Sequence, residues 1–249
     1  MSKFSRFEAD PDVGWADTET CLELFRAAQS EGVRIKQEET TQIWRVPSPD
    51  GQALYVKTYC VPLRRRLFAG LARSRALREW RALRAMQATG LPVPPPVWFA
   101  ESRHRGVLDF SVVATRALGP VTPLPQSLAL GSESEAAIGD AVGRVTRRMH
   151  DAGFGHFRLR PKNVLVGPAP GFAIHLLDMP NTCHWPAGAP AQIRCMDLEQ
   201  LAGAHARLSQ TATEAIVSGY AGAARDQAGL GRDPPRARGR VIASPRPPA

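Results

Sequence analysis

Between His150 and Asp178 the chain concentrates side chains able to handle a cation or an anion: His150, Asp151, His156, Arg158, Arg160, Lys162, Asn163 and Asp178. Asn163 opens one short apolar run and Asp178 closes the next. A carboxamide and a carboxylate offer hard oxygen donors. Arg158 is of the opposite kind. Its guanidinium stays protonated, so it offers donors and no acceptor; it can clamp a phosphate but cannot take a proton. Upstream, Lys57 sits in an apolar, strand-like run, and Glu79 is the single acid among Arg64, Arg65, Arg66, Arg73, Arg75, Arg78, Arg81 and Arg84. Taken singly, Lys57 also reads as a strand-edge charge and Asp178 as the cap of a turn. His150 and His156 read as polar braces of their loop. His175, Cys183, His184, Cys195 and His205 lack the paired spacing of zinc ligands.

These residues need a scaffold, and hydrophobic periodicity outlines it. Cys21, Leu22, Phe25 and Ala28 predict a helix over 18–29. Runs at 41–46 and 53–59, separated by Pro47, Ser48, Pro49, Asp50 and Gly51, predict a hairpin that carries Lys57. Ala72, Ala76, Trp80 and Leu83 form one stripe of a helix over 71–88, bordered by Glu79. Gly90 stops it. Pro92, Pro94, Pro95 and Pro96 then impose extended chain ahead of a second hairpin, 97–99 with 107–115. After a connector over 119–131, Ser132 and Glu135 have the spacing of a capping box for a helix with Ile138, Val142, Val145 and Met149 on one face. Gly153 ends that helix. A third hairpin, 163–166 with 172–177, sets Asn163 and Asp178 at its two ends, and a last helix is predicted over 197–220.

Composition narrows the class. At 249 residues, 43% hydrophobic and 22% charged, the chain can bury a substantial core, which excludes a fibre or wholesale disorder. No run approaches the roughly 20 apolar residues of a bilayer span, and 1–10 lacks the apolar core of a signal peptide, so the expected location is the cytoplasm. Cys21, Cys60, Cys183 and Cys195 form no CxxC pair and read as reduced thiols. The net charge of +9, crowded into 64–84, predicts anionic partners: nucleic acid, an acidic membrane face or a phosphorylated glycolipid. From Arg225 onward glycine, proline and arginine replace apolar residues, and no packed structure is expected.

The loop His156-Phe157-Arg158-Leu159-Arg160-Pro161-Lys162-Asn163 resembles a kinase catalytic loop, H-x-D-L-x-x-x-N, between a helix and a strand. With Lys57, Glu79, Trp80, the 91–96 segment and Asp178 in the same order, residues 41–220 resemble the Kdo/WaaP-type lipopolysaccharide kinase family, including its InaA group. That resemblance implies an α+β, two-lobed, protein-kinase-like fold with a small β-rich N-lobe and a mainly helical C-lobe. It places a lead-in element at 1–40, the N-lobe at 41–118, the C-lobe at 119–224 and a basic tail at 225–249. It also implies ATP and Mg2+ as cofactors, with Lys57 and Glu79 binding nucleotide and Asn163 and Asp178 holding the metal. The implied acceptor is a sugar of lipopolysaccharide core or a related anionic glycolipid, reached at the inner membrane surface. Arg158 stands at the family's catalytic aspartate position, and Asp151 is the nearest substitute acid. The glycine-rich phosphate loop is missing from 41–53, where Gly51 is the sole glycine. Two readings therefore stay open, an ATP-dependent phosphotransferase and a pseudokinase that binds nucleotide or glycolipid as a regulatory module. A third, nonspecific nucleic-acid binding, rests on basicity alone, and no specific nucleic acid is expected.

Overall fold

A computed structural model describes residues 4–60, 73–130 and 132–229. The chain divides into two compact units, one within 1–88 and 93–119 and the other within 89–92 and 120–249.

The first unit is built on a six-stranded antiparallel sheet. Its strands are β1 (Arg6–Ala9), β2 (Val33–Glu38), β3 (Thr41–Pro47), β4 (Ala53–Cys60), β5 (Pro96–His104) and β6 (Val107–Arg116), in the order β1-β5-β6-β4-β3-β2. Alternation in β4 decides the layers. Leu54 and Val56 face one side and pack with Trp98, Ala100, Val112 and Ala114 against Cys21, Phe25 and Ala28 of α1 (Thr18–Ser30). Tyr59 faces the other side, with Phe99 and Val113, and meets Ala76, Leu77 and Trp80 of α2 (Arg75–Ala88). Because side chains two apart share a strand face, Lys57 lies on the α2 side with Tyr59. Asp17 caps α1 by accepting the N–H groups of Glu19 and Thr20 at 2.9 and 3.0 Å. Burial among these apolar groups pushes the Cys21 thiol up to about 12, which leaves it chemically inert.

Residues 6–38, read from sequence as a lead-in with one helix, also supply two strands of this sheet. β2 escaped notice because it is an edge strand exposed along its whole length, with Val33 and Ile35 63% and 52% exposed. It is held by backbone pairing to β3, so burial left no signature in its residues. The turn preceding β3 is Glu39–Thr40. Residues 71 and 72 of the helix predicted over 71–88, together with Arg64, Arg65 and Arg66, lie outside the described residues; Arg73 and Ser74 are described and precede the helix, which begins at Arg75.

In the second unit, α4 (Ser132–Asp151) packs along α6 (Gln210–Gly229). Their crossing is close because Gly139, Gly143 and Gly219 line it. A Cβ on Gly143 would stand 2.2 Å from the Ile216 carbonyl oxygen and 2.6 Å from the Tyr220 nitrogen. Short strands β7 (Thr122–Pro123), β9 (Val164–Val166) and β10 (Ile174–Leu176) form a sheet ordered β10-β9-β7, and β8 (Phe154–Gly155) pairs with β11 (Cys183–His184). The short helix α3 (Leu124–Ser127) connects β7 to a 3-10 turn at Leu128–Leu130.

The predicted single last helix is two helices, α5 (Ala191–Ala202) and α6. Gly203 closes α5 in extended conformation, and Arg207 adopts the left-handed region, a break that one glycine in a helical pattern did not reveal. α6 also continues to Gly229, past Arg225, where the composition had suggested unpacked chain. Residues 230–249 are not among those described. Glu135 accepts from the Ser209 hydroxyl; the Ser132 half of the predicted capping box falls on an undescribed side chain. No helix among the described residues is long and apolar enough to cross a membrane.

Candidate active site

In the first unit, Lys57 and Glu79 meet as the shared face requires. Lys57 Nζ lies 3.0 Å from Glu79 Oε1, with the two side chains 15% and 6% exposed. The other carboxylate oxygen, Oε2, accepts from the Tyr59 hydroxyl. Each oxygen of Glu79 thus has its own partner, which fixes the carboxylate plane and, through it, the ammonium. The Tyr59 ring collects two cations, with Lys57 Nζ 5.1 Å and the Arg75 guanidinium 4.4 Å from its centroid. Tyr59 went unnoticed in the sequence, although its spacing of two from Lys57 placed it on the same face. The basic run is partly absorbed by the fold. Arg84 pairs with Asp10 at 2.7 Å and covers the Trp80 ring, while Arg75 is committed to Tyr59.

In the second unit, the turn after α4 carries Gly153, which takes φ +87° and runs so close to Trp185 that a Cβ would sit 2.0 Å from that residue's carbonyl oxygen. The loop beyond hangs from one buried carboxylate. Asp197 of α5, fully buried, accepts the N–H groups of His156 at 2.7 Å and Phe157 at 2.8 Å and lies 3.3 Å from His150 Nε2. His150 Nδ1 reaches the Tyr220 hydroxyl at 2.9 Å. Two consecutive donors, one on each oxygen of the same carboxylate, bend the chain sharply, and Phe157 takes φ +64°, a costly conformation for a bulky residue. Its ring stacks on Trp185 with centroids 6.0 Å apart. Asp197 therefore positions everything that follows. Nothing in the sequence singled it out, because an aspartate inside a helical stretch reads as solvated until its burial is seen.

His156 completes the frame. Burial pushes its imidazole down, against the opposing influence of Asp197. The neutral ring has one donor and one acceptor, and both are used: Nε2–H donates to the Leu177 carbonyl at 2.8 Å, and Nδ1 accepts from the Arg158 N–H at 3.2 Å. This is the bracing role expected for the loop histidines.

Asn163 lies in a 3-10 turn, Pro161–Asn163, instead of beginning the strand as expected; Pro161, with its fixed φ, opens that turn. Its Nδ2 donates to the Arg158 carbonyl at 2.8 Å, and its carbonyl accepts from Leu177 N–H at 2.8 Å. The carboxamide oxygen is thereby left for another partner, which suits a hard cation. Asp178 follows Leu177, so it stands one residue beyond the level of Asn163 at the same end of the hairpin. It occupies φ +62°, a region aspartate tolerates better than most residues. One aspartate and one carboxamide fit magnesium that takes its remaining ligands from phosphate and water. Among the described residues, no group of three or more His, Cys, Asp or Glu side chains converges to hold a metal ion.

Arg158 is exposed, its backbone pinned on both sides by His156 and Asn163. Asp151, the substitute acid considered above, is occupied. One oxygen lies 2.6 Å from Arg147 Nε and the other 2.7 Å from Arg194, so neither is left to accept a proton.

Comparison with known proteins places this geometry. The model of the lipopolysaccharide kinase (Kdo/WaaP) family matches residues 24–220. The 3-deoxy-D-manno-octulosonic acid kinases of Xylella fastidiosa strains M12 and M23 are each 30% identical over 105 residues, 42% of this chain and 41% of theirs. The matched region thus spans about two fifths of those relatives' length. Among solved structures, WaaP in complex with acyl carrier protein superimposes with a TM-score of 0.60 at 22% identity, over 90% of this chain and 94% of the other. The Rio2 kinase of Chaetomium thermophilum, in its ADP/Mg2+-phosphoaspartate complex, gives 0.53 at 14% identity over 84% and 76%. The fold is α+β and protein-kinase-like, as the sequence led us to expect.

Proposed function

The chain belongs to the lipopolysaccharide kinase (Kdo/WaaP) family, and on that ground we propose that it binds magnesium ATP and addresses a sugar of lipopolysaccharide core or a related envelope glycolipid, with phosphoryl transfer slowed by Arg158. The observation that carries this reading is the half-buried Lys57–Glu79 pair, 3.0 Å apart and braced by Tyr59. A lysine held this way on a strand is suited to nucleotide phosphates, with Glu79 as the group that positions it. Asn163 and Asp178 would hold the magnesium, which when bound neutralises phosphate charge. Contact with the inner membrane face through the basic segments accompanies this reading.

A second reading, a binding module without turnover, is favoured by one observation. Arg158 occupies the place from which an acid would orient the attacking hydroxyl, and Asp151 has both oxygens committed to guanidinium groups. The deciding experiment follows transfer of the terminal phosphate of ATP to purified lipopolysaccharide core by the natural protein and by Arg158→Asp. A proton-accepting side chain contributes about 10²–10⁴-fold to such a reaction. Slow turnover that Arg158→Asp raises by about that factor supports the enzyme. No transfer by either protein, with ATP binding intact, supports the binding module.

A further inference from the structure

The loop that carries Arg158 carries two more cations with the same disposition. Arg158, Arg160 and Lys162 are exposed, whereas the intervening Leu159 and Pro161 and the following Asn163 are buried. Hydrogen bonds impose this alternation. Arg160 N–H donates to the Arg158 carbonyl and Asn163 N–H to the Arg160 carbonyl, each at 2.8 Å, while the Asn163 carboxamide returns to Arg158. Among the described residues, none of the three cationic side chains takes part in a hydrogen bond or ion pair. Three other arginines of this unit are ion-paired, Arg144 with Asp140 and both Arg147 and Arg194 with Asp151. Arg148 reaches only the Gly90 carbonyl, at 3.2 Å, and Arg207 is exposed on its own; Arg158, Arg160 and Lys162 stand apart because one short, hydrogen-bonded loop carries all three.

We propose that Arg158, Arg160 and Lys162 form a receptor for a phosphate group, so that the loop that would activate a hydroxyl binds an anionic ligand here. Two guanidinium forks can each engage two phosphate oxygens, and the ammonium adds a point charge. The ligand class is a terminal phosphate group, either a monoester on the acceptor glycolipid or the end of the nucleotide's polyphosphate chain. The inference deepens the function proposed above and rests on it for the identity of the acceptor.

The test uses the full chain and thermal unfolding in inorganic phosphate against chloride of equal ionic strength. It compares the natural protein, the triple variant Arg158→Gln, Arg160→Gln, Lys162→Gln, and Asp178→Ala. All three loop positions are exposed, so the triple variant should melt without ligand at the parental temperature. At about tenfold its Kd, phosphate should raise the melting temperature of the natural protein by roughly 3–6 °C. That rise should persist in Asp178→Ala and vanish in the triple variant. Two further arms assign the source. Stabilisation by phosphorylated core that dephosphorylation abolishes identifies the acceptor, and loss of the magnesium ATP shift in the triple variant identifies the nucleotide. A phosphate shift no larger than that of chloride, or one undiminished in the triple variant, overturns the receptor. If magnesium ATP still stabilises the protein in that case, the proposed function stands without it. A retained phosphate shift with no response to magnesium ATP has the opposite meaning.

Discussion

Replacing Asp197 with alanine removes the acceptor from which the loop at 156–163 hangs. The carboxylate takes the N–H groups of His156 and Phe157 at 2.7 and 2.8 Å and lies 3.3 Å from His150 Nε2, in a fully buried site. A hydrogen bond to a charged group contributes about 1.5–3 kcal/mol, and each buried donor left without a partner costs about 1–3 kcal/mol. Phe157 would also lose the contact that sustains its positive φ, a conformation costing about 1–3 kcal/mol. These contributions overlap, and we expect a net loss of about 4 kcal/mol, with a fall in melting temperature of roughly 8–16 °C for a domain of this size. Asp197→Asn keeps one acceptor oxygen and should lose about half as much. Urea titration and thermal melting of both variants without ligand measure the two values. A loss below about 1 kcal/mol for the alanine variant, or equal losses for both, would refute the claim that this carboxylate holds the loop.

The pH dependence has a defined sign. His156 uses its neutral form in both hydrogen bonds, and burial holds its pKa below the ordinary value of 6.5. The unfolded chain therefore binds the proton first as pH falls. Stability from this group is full above about pH 6.5 and declines below it, by up to about 1.4 kcal/mol per pH unit. Burial lowers His175 as well, which adds in the same direction. Urea midpoints from about pH 7.5 to about pH 5 should show the decline, and a flat profile contradicts it. At the α4–α6 crossing, Gly143→Ala forces a methyl to within 2.2 Å of a backbone oxygen and should cost several kcal/mol. Gly222→Ala, on the same pair of helices with open space around it, should stabilise by about 0.5–1 kcal/mol. Comparing their melting temperatures checks the pair, and equal effects would contradict the close crossing.

The parts of this structure legible in the sequence are those where burial imposes a period. Cys21, Phe25 and Ala28 face the sheet as their spacing required, Ala76 and Trp80 do so on α2, and Leu83 of the same stripe is buried. The hairpins at 41–60 and 164–176 follow from turn residues between apolar runs. What escaped was set by tertiary context. β2 is a strand through pairing alone; the break at Gly203–Arg207 is a backbone event inside an unbroken helical composition. The site divides along the same line. Lys57, Glu79, Asn163 and Asp178 stood out by type and order. Tyr59 and Asp197 act as buried acceptors or donors for other groups, and a buried partner has no local signature. Arg158 was conspicuous in the sequence, but its company with Arg160 and Lys162 emerged only once exposure of alternate loop residues was known.

The central claim is that the Lys57–Glu79 pair, Asn163 and Asp178 still serve a nucleotide. It is tested most directly by the melting temperature with and without magnesium ATP in the natural protein, Asp178→Ala and Lys57→Ala. At about tenfold Kd we predict a rise of roughly 3–6 °C that requires magnesium and is lost in both variants. No shift at millimolar nucleotide, or a shift that both variants retain, would contradict the account.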